Sequence, residues 1–349
     1  MIEATAGTPG HLMRREIDEQ PAVLRRLLTD GFPGVRAVSD VVRRRQPRFV
    51  LLAGRGTSDH AALYAKYLIE IRLGLPAGLV SLSTLTTYAA QPDLRDVLWI
   101  AVSQSGSSPD LVESTATARR AGALTLAVTN GAGSDLERVA ELHLDVLAGP
   151  EAAVAATKTY TCQLLTLWML IDAWTGGDGL AADAVPDLAA DAVSSRDVLD
   201  IAERYRFASS VIVTGRGYGH PTAREAALKL METSYLSAHA FSGADLMHGP
   251  VAMVDPARPV LVVLPPGRGG RAMEPVVRSL AERGADISVI GDPPAGTHVP
   301  HVAAGAGVIE ELSPVTQIIP LQNLAHALAV ERHNDPDQPR GLQKVTRTR

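Results

Sequence analysis

The chain has 349 residues, 46% apolar and 20% charged, with a formal net charge of −5. That length allows about two domains of ordinary size, and so large an apolar share argues against a disordered chain. There is no basic block beyond Arg43-Arg44-Arg45 and the Arg347/Arg349 tail, which speaks against nucleic-acid binding, and the single cysteine, Cys162, excludes an internal disulfide or a cysteine-built zinc cluster.

The first twenty residues, MIEATAGTPGHLMRREIDEQ, contain no apolar run of the secretory kind. Residues 1–45 read as a helical arm. FVLLAGRGTSDH follows, a buried strand ending in a polar turn where Thr57 and Ser58 offer hydroxyls. VLWIAVSQSGSSPD is a second strand, running into a loop of four serines, a glutamine and one glycine before a helix. Ser103, Gln104 and Ser105 present donors, Gly106 admits close backbone approach, Ser107 or Ser108 caps the helix, and Pro109 suits its first turn. Amides and helix dipole together favour a dianion such as a phosphate monoester. With no lysine in the loop, nucleoside triphosphate chemistry is disfavoured. With no GxGxxG spacing, a nicotinamide or flavin cofactor is not expected.

The strand RAGALTLAVT comes next, then EAAVAATK, then an apolar helix around TCQLLTLWMLIDAW, too short and too interrupted by Asp172 to span a bilayer. One α/β domain is therefore expected over 46–178, an Ala/Asp/Pro-rich linker over 179–200, a second α/β domain over 201–334 and a tail over 335–349. In the second domain HPTAREAALKLMETSYL reads as a helix with Glu225, Lys229 and Glu232 at i, i+4 and i+7 on one face. That face is either a surface salt bridge with a spare acid or a carboxylate poised for proton transfer beside a lysine. FSGADLMHGP sets His248 in a loop bounded by glycine and proline, where an imidazole can act as acid or base near neutral pH. The tail, through the turn-rich Asp337-Gln338-Pro339-Arg340, is able to bring Lys344 back over a site.

The chain repeats itself. FVLLAGRG and SVIVTGRG match at an offset of 161 residues, and the following strand–loop–helix–strand units match too. Buried strands alternating with helices imply two similar doubly wound, flavodoxin-like domains with parallel sheets, from an internal duplication. Where the first repeat has QSGSSP the second has PPGRGG, whose prolines have no N–H to offer an anion. A single anion site in the first repeat is the consequence. Lysine usage adds to this: the chain has four lysines against 29 arginines, and arginine cannot replace lysine as an imine former or a base. Lys158, Lys229 and Lys344 are accordingly candidates for chemistry, Lys66 less so.

Taken in order, SQSG, VAATK, EAALKLMETSY, HGP and DQPR resemble the sugar isomerase (SIS) family. Within it, they resemble the isomerase half of glucosamine-6-phosphate synthase and stand-alone type II glucosamine-6-phosphate deaminases, over nearly the whole chain. The resemblance implies two SIS domains. It places the phosphate loop on Ser103, Gln104, Ser105 and Ser108 with Thr57, and a sugar-lining backbone at Val154 and Ala156. The proton-shuttling glutamate falls on Glu232, with Glu225 and Lys229 in the same helix, and the ring-opening histidine on His248. In the family that histidine comes from a neighbouring subunit, so a homodimer is implied. The imine-forming lysine of the synthase falls on Lys344. No metal or other cofactor is implied, and the expected setting is cytoplasmic, without membrane or nucleic-acid partners.

Departures point to the stand-alone branch. Residue 2 is Ile2 rather than a cysteine nucleophile, so no glutaminase domain is expected and ammonia would not come from glutamine through this chain alone. Ser107 stands where the synthase loop has an acid, GRGTS replaces CGTS, and Ala156 replaces a serine. The expected reaction is glucosamine 6-phosphate to fructose 6-phosphate and ammonia. Its rivals are the same catalysis on another amino-sugar phosphate, an isomerizing aminotransferase fed by free ammonia or a separate glutaminase, and a non-catalytic phosphosugar-binding regulator.

Overall fold

The computed structural model describes residues 7–256 and 258–344. They form two compact units, neither continuous in sequence. One takes 22–151 and 158–183 together with 343–344; the other takes 7–21, 152–157 and the described part of 184–342.

The first unit is built on five parallel strands: β1 (Phe49–Ala53), β2 (Ala77–Leu79), β3 (Val97–Val102), β4 (Leu124–Thr129) and β5 (Leu142–Asp145), in the order β2-β1-β3-β4-β5. β3 is apolar, and β4 is buried along its whole length, because helices cover both faces of the sheet, which removes the polar alternation of a half-solvated strand. Trp99 at the centre of β3 is buried and its indole N–H donates to Thr115 Oγ1 at 3.1 Å, satisfying the one polar atom it carries inward. The helix Lys158–Trp174 is buried from Lys158 to Ala173 and packs on the helices Phe32–Arg45 and Thr57–Leu68 of the same unit. Its uniform apolarity is that of a core helix.

The second unit repeats the design with β6 (Ser210–Gly215), β7 (Ser237–Ser242), β8 (Pro259–Val263), β9 (Asp286–Ile290) and β10 (His301–Val302), ordered β10-β9-β8-β6-β7, all parallel. Counted from its own first strand, each sheet runs 2-1-3-4-5. That order has one reversal, between the first and third strands, where ligands of doubly wound sheets bind at the strand carboxyl ends. In the first unit those ends carry GRGTS after β1 and SQSGSS after β3.

Residues 179–200, expected as a linker, hold the short helix Leu180–Ala182, the helix Val185–Ser194 and the start of Val198–Tyr205. Val185, Ala189 and Ala192 recur at helical spacing and are buried, so the alanine content builds a packed stripe. Asp337 is not merely part of a hinge. Its carboxylate accepts from the amides of Leu12 and Met13 at 2.9 and 2.8 Å, while Asp335 accepts from Gly10 N at 3.0 Å. The helix His11–Asp18 has no acceptor of its own at its N-terminus, and the chain's far end supplies one.

Candidate functional site

In the first unit, Ala53 of β1 pairs with Ala101 of β3, so the two polar loops leave the sheet side by side. Ser103 is buried and its hydroxyl accepts from Gly106 N at 3.1 Å; Ser105 Oγ accepts from Ser107 N at 3.2 Å. These bonds fold the loop tightly. Gly106 has φ 62°, and a Cβ there would sit 2.5 Å from Ser134, so only glycine fits. Ser108 stands before the helix Pro109–Arg120 with extended backbone (φ −68°, ψ 117°), and its hydroxyl is not used as a cap. The arrangement suits an anion at the helix N-terminus.

Of the two hydroxyls expected from the GRGTS turn, Thr57 opens the helix Thr57–Leu68 and is half-buried. Ser58 is turned inward instead. It is buried, and Gln163 donates to its Oγ at 3.1 Å, so it ties two helices of the unit together. Gly54 beside it must be glycine, because a Cβ would lie 2.7 Å from the Ser58 backbone.

Glu151, absent from the expected site residues, is the hub of this unit's polar cluster. Its side chain is fully buried and accepts from Gln104 Nε2, from Thr159 N at 3.1 Å and from Lys344 Nζ at 3.5 Å. Gln104 and Lys344 are thus brought together through a carboxylate that neither motif contains. Its one local signal is the acid in EAAVAATK, whose partners Gln104 and Lys344 lie 47 and 193 residues away. Lys66, by contrast, makes a surface pair with Glu70, one turn on, at 2.7 Å.

The second unit holds the carboxylate–lysine ladder. Along the helix Gly219–Ser234, Lys229 Nζ lies 3.3 Å from Glu225 Oε1 and 2.6 Å from Glu232 Oε2. Glu225 and Lys229 are buried, while Glu232 keeps 22% of its side chain exposed. Burial pulls the Lys229 ammonium down, but the two carboxylates outweigh this and hold its pKa above the ordinary lysine value. The lysine sits between the two acids, within 3.3 Å of each, and holds Glu232 in place. Only Glu232 of the three reaches solvent and can exchange a proton with a ligand.

His248 ends the short helix Gly243–Met247 and is exposed, its backbone N donating to Asp245 O at 3.1 Å. Val154 is half-buried and Ala156 buried. Their segment is fixed by Glu16, whose buried carboxylate accepts from Ala152 N and Ala153 N, and by Val154 N donating to Asp337 O at 3.4 Å.

The second repeat also has a helix N-terminus after its third strand, but that one is filled. Glu310 accepts from the amides of Arg268 and Gly269 at 2.8 and 2.7 Å, at the start of the helix Arg268–Glu282.

The SIS domain profile matches residues 45–173 and 205–322, the two repeats. The chain belongs to the SIS domain family. Among relatives, the glutamine–fructose-6-phosphate aminotransferase [isomerizing] of Thermococcus kodakarensis is 36% identical over 97% of this chain. The match spans 58% of that relative's length. Among solved structures, a protein of Silicibacter pomeroyi DSS-3 provisionally assigned as a phosphosugar isomerase is 36% identical, with TM-score 0.88, covering 93% of this chain and 99% of that one. The C-terminal domain of glucosamine-fructose-6-phosphate aminotransferase from Francisella tularensis shares the fold, with TM-score 0.82 at 24% identity over 96% of this chain and 100% of that one. Among the described residues, no helix of this SIS chain is long and apolar enough to cross a membrane.

Proposed function

We propose that this SIS chain is an amino-sugar phosphate isomerase and deaminase, converting glucosamine 6-phosphate and water to fructose 6-phosphate and ammonia. The observation that carries the reading is the ladder in the helix Gly219–Ser234: a buried cation between two carboxylates, of which only Glu232 is accessible. A carboxylate fixed in this way is suited to proton transfer. The phosphate is assigned to the SQSGSS loop and ring opening to His248, with a second copy of the chain as its source. In the open-chain aldose Glu232 takes the proton from C2, giving an enolamine, and returns it to C1. The product is a C2 ketose imine. A proton lost from the nitrogen is matched by one gained at O1, and C2 is oxidised as C1 is reduced; water then adds to the imine and ammonia leaves, so atoms and electrons balance with no outside oxidant or reductant. Lys344, paired with Glu151, is assigned to closing the phosphate loop.

A second reading is favoured by the relatives' name. The reverse reaction, amination of fructose 6-phosphate with ammonia delivered by another protein, uses the same proton transfer. The test is release of ammonia and fructose 6-phosphate from glucosamine 6-phosphate by purified protein in EDTA, with the reverse run in ammonium salt. Forward turnover of roughly 1–10³ per second supports the deaminase reading. Turnover only in reverse moves the assignment to the aminating enzyme. No turnover, with thermal stabilisation by the sugar phosphate, makes the protein a sensor and overturns the catalytic reading.

A further inference from the structure

Arg55 is the residue between the two glycines of GRGTS. Arg55 and Ser103 each lie two residues beyond the last paired strand positions, Ala53 and Ala101, on either side of the sheet's reversal. From there the guanidinium crosses to the first turn of the helix that follows the phosphate loop. Its Nε donates to Asp110 Oδ2 at 2.8 Å and a terminal nitrogen lies 2.7 Å from the same oxygen. Asp110 is the second residue of that helix and its side chain is only 2% exposed. Its other oxygen accepts from the Leu111 amide at 2.8 Å. Both carboxylate oxygens are therefore engaged, one by the helix and one by Arg55.

This places a buried negative charge inside the amide and dipole field that a phosphate dianion would use. A carboxylate at a helix N-terminus is itself well placed, but a second anion arriving beside it is repelled, and burial leaves that repulsion weakly screened. Arg55 is the cation that meets Asp110. The Arg55 side chain as a whole keeps 54% of its surface exposed, so its charge is not sealed in with Asp110. Arginine suits this better than lysine, because two of its nitrogens meet one oxygen and its charge cannot titrate away.

We propose that Arg55 is a specificity-determining positioning residue: by cancelling Asp110 behind the phosphate loop, it makes the loop select dianionic substrates. The inference rests on the loop being the phosphate site. It is tested with the full chain by titrating inorganic phosphate and by steady-state kinetics on glucosamine 6-phosphate. Four variants are compared with the parent: R55A, R55K, D110N and R55A/D110N.

R55A weakens phosphate binding by roughly tenfold or more, since it leaves a buried charge unpaired, and the loss falls in KM rather than kcat. R55K, which keeps the charge and loses the fork, weakens binding less than R55A. D110N alone binds phosphate as tightly as the parent or more tightly, which a purely structural Asp110 would not allow. R55A/D110N recovers most of the loss, and it keeps the test open if R55A fails to fold, because it holds no unpaired buried charge. If R55A binds phosphate like the parent, or D110N binds it less tightly, the inference is overturned while the phosphate loop stands. If R55A/D110N is as weak as R55A, Arg55 is a direct ligand and the inference is overturned in that way. If the parent binds neither phosphate nor sugar phosphate, the reading of the loop fails and the inference with it.

Discussion

Lys229→Met separates charge from packing in the second unit. The methionine fills much of the lysine's volume but leaves Glu225, with 0% of its side chain exposed, without the cation 3.3 Å away. Removing one partner of a buried pair costs about 3–5 kcal/mol. Glu232 adds little to that figure, because at 22% exposure water takes over part of its solvation. For a unit in the range of about 150–250 residues each kcal/mol moves the midpoint by roughly 2–4 °C, so a fall of about 6–20 °C is expected by scanning calorimetry. Glu225→Gln added to Lys229→Met removes the carboxylate charge that faced the lysine and recovers part of the loss. The pH sign follows from the lysine's raised pKa: its contribution is complete below the unfolded value of 10.5 and is lost as pH rises through the higher folded value. The parent's advantage over the double variant is therefore flat from pH 7 to 9 and shrinks only in strong alkali. A Lys229→Met midpoint within about 1 °C of the parent would refute the reasoning, since a charge pair that matters cannot be cut at no cost.

Other consequences are open to direct measurement. If His248 acts on the neighbouring copy's ligand, His248→Ala and Glu232→Gln are each inactive alone. Mixed after dissociation, they regain about a quarter of the activity, since half the dimers are mixed and each has one intact site; no recovery places both groups in one chain. Burial raises the thiol pKa of Cys162 far above its ordinary value, so Ellman's reagent should find no reactive thiol in the native chain and one after denaturation. Burial chiefly, with Arg14 helping against the Gly10 carbonyl, Asp337 and Asp18, holds His326 below its ordinary 6.5. The unfolded chain then takes up that proton first, so stability falls as pH drops below about 6.5; His326→Gln, followed by urea midpoints, should flatten that slope.

Much of the architecture was legible because the central parallel strands leave apolar runs, such as those ending at Gly54, Ser103, Gly215 and Gly291, whereas edge strands such as SAHAFS leave none. The repeat was visible for the same reason. The ladder was legible as spacing alone: i, i+4 and i+7 put Glu225, Lys229 and Glu232 on one face, though not that Lys229 sits buried between the acids. What escaped depends on partners far apart in sequence. Glu151 has no local signature as a hub until Lys344 arrives from 193 residues away. Ser58 resembled a ligand-facing hydroxyl until Gln163, 105 residues on, took it. Residues 179–200 resembled a linker by composition, and only the spacing of Val185, Ala189 and Ala192 distinguishes a packed stripe from a flexible run.

If the SQSGSS loop holds the substrate's phosphate, as proposed, the two repeats use the same helix end differently. The prolines of PPGRGG remove two amides and the serine hydroxyls, yet the amides of Arg268 and Gly269 still point out of the helix start. Their acceptor is Glu310, brought in from 41–42 residues downstream. The second repeat thus has not lost its helix-end amides but has satisfied them from within. Glu310→Ala leaves both without a protein partner. Water can reach the amide of exposed Arg268 more easily than that of buried Gly269, so the cost should be that of about one unmade hydrogen bond to a charged group, roughly 1.5–3 kcal/mol. Glu310→Gln, which keeps an acceptor oxygen but not the charge, should lose less. Chemical denaturation of the three proteins measures the order. Should Gln and Ala cost the same, charge is what Glu310 brings to the helix dipole; should neither cost anything, solvent alone satisfies those amides and Glu310 does not explain why the second repeat has no free anion site.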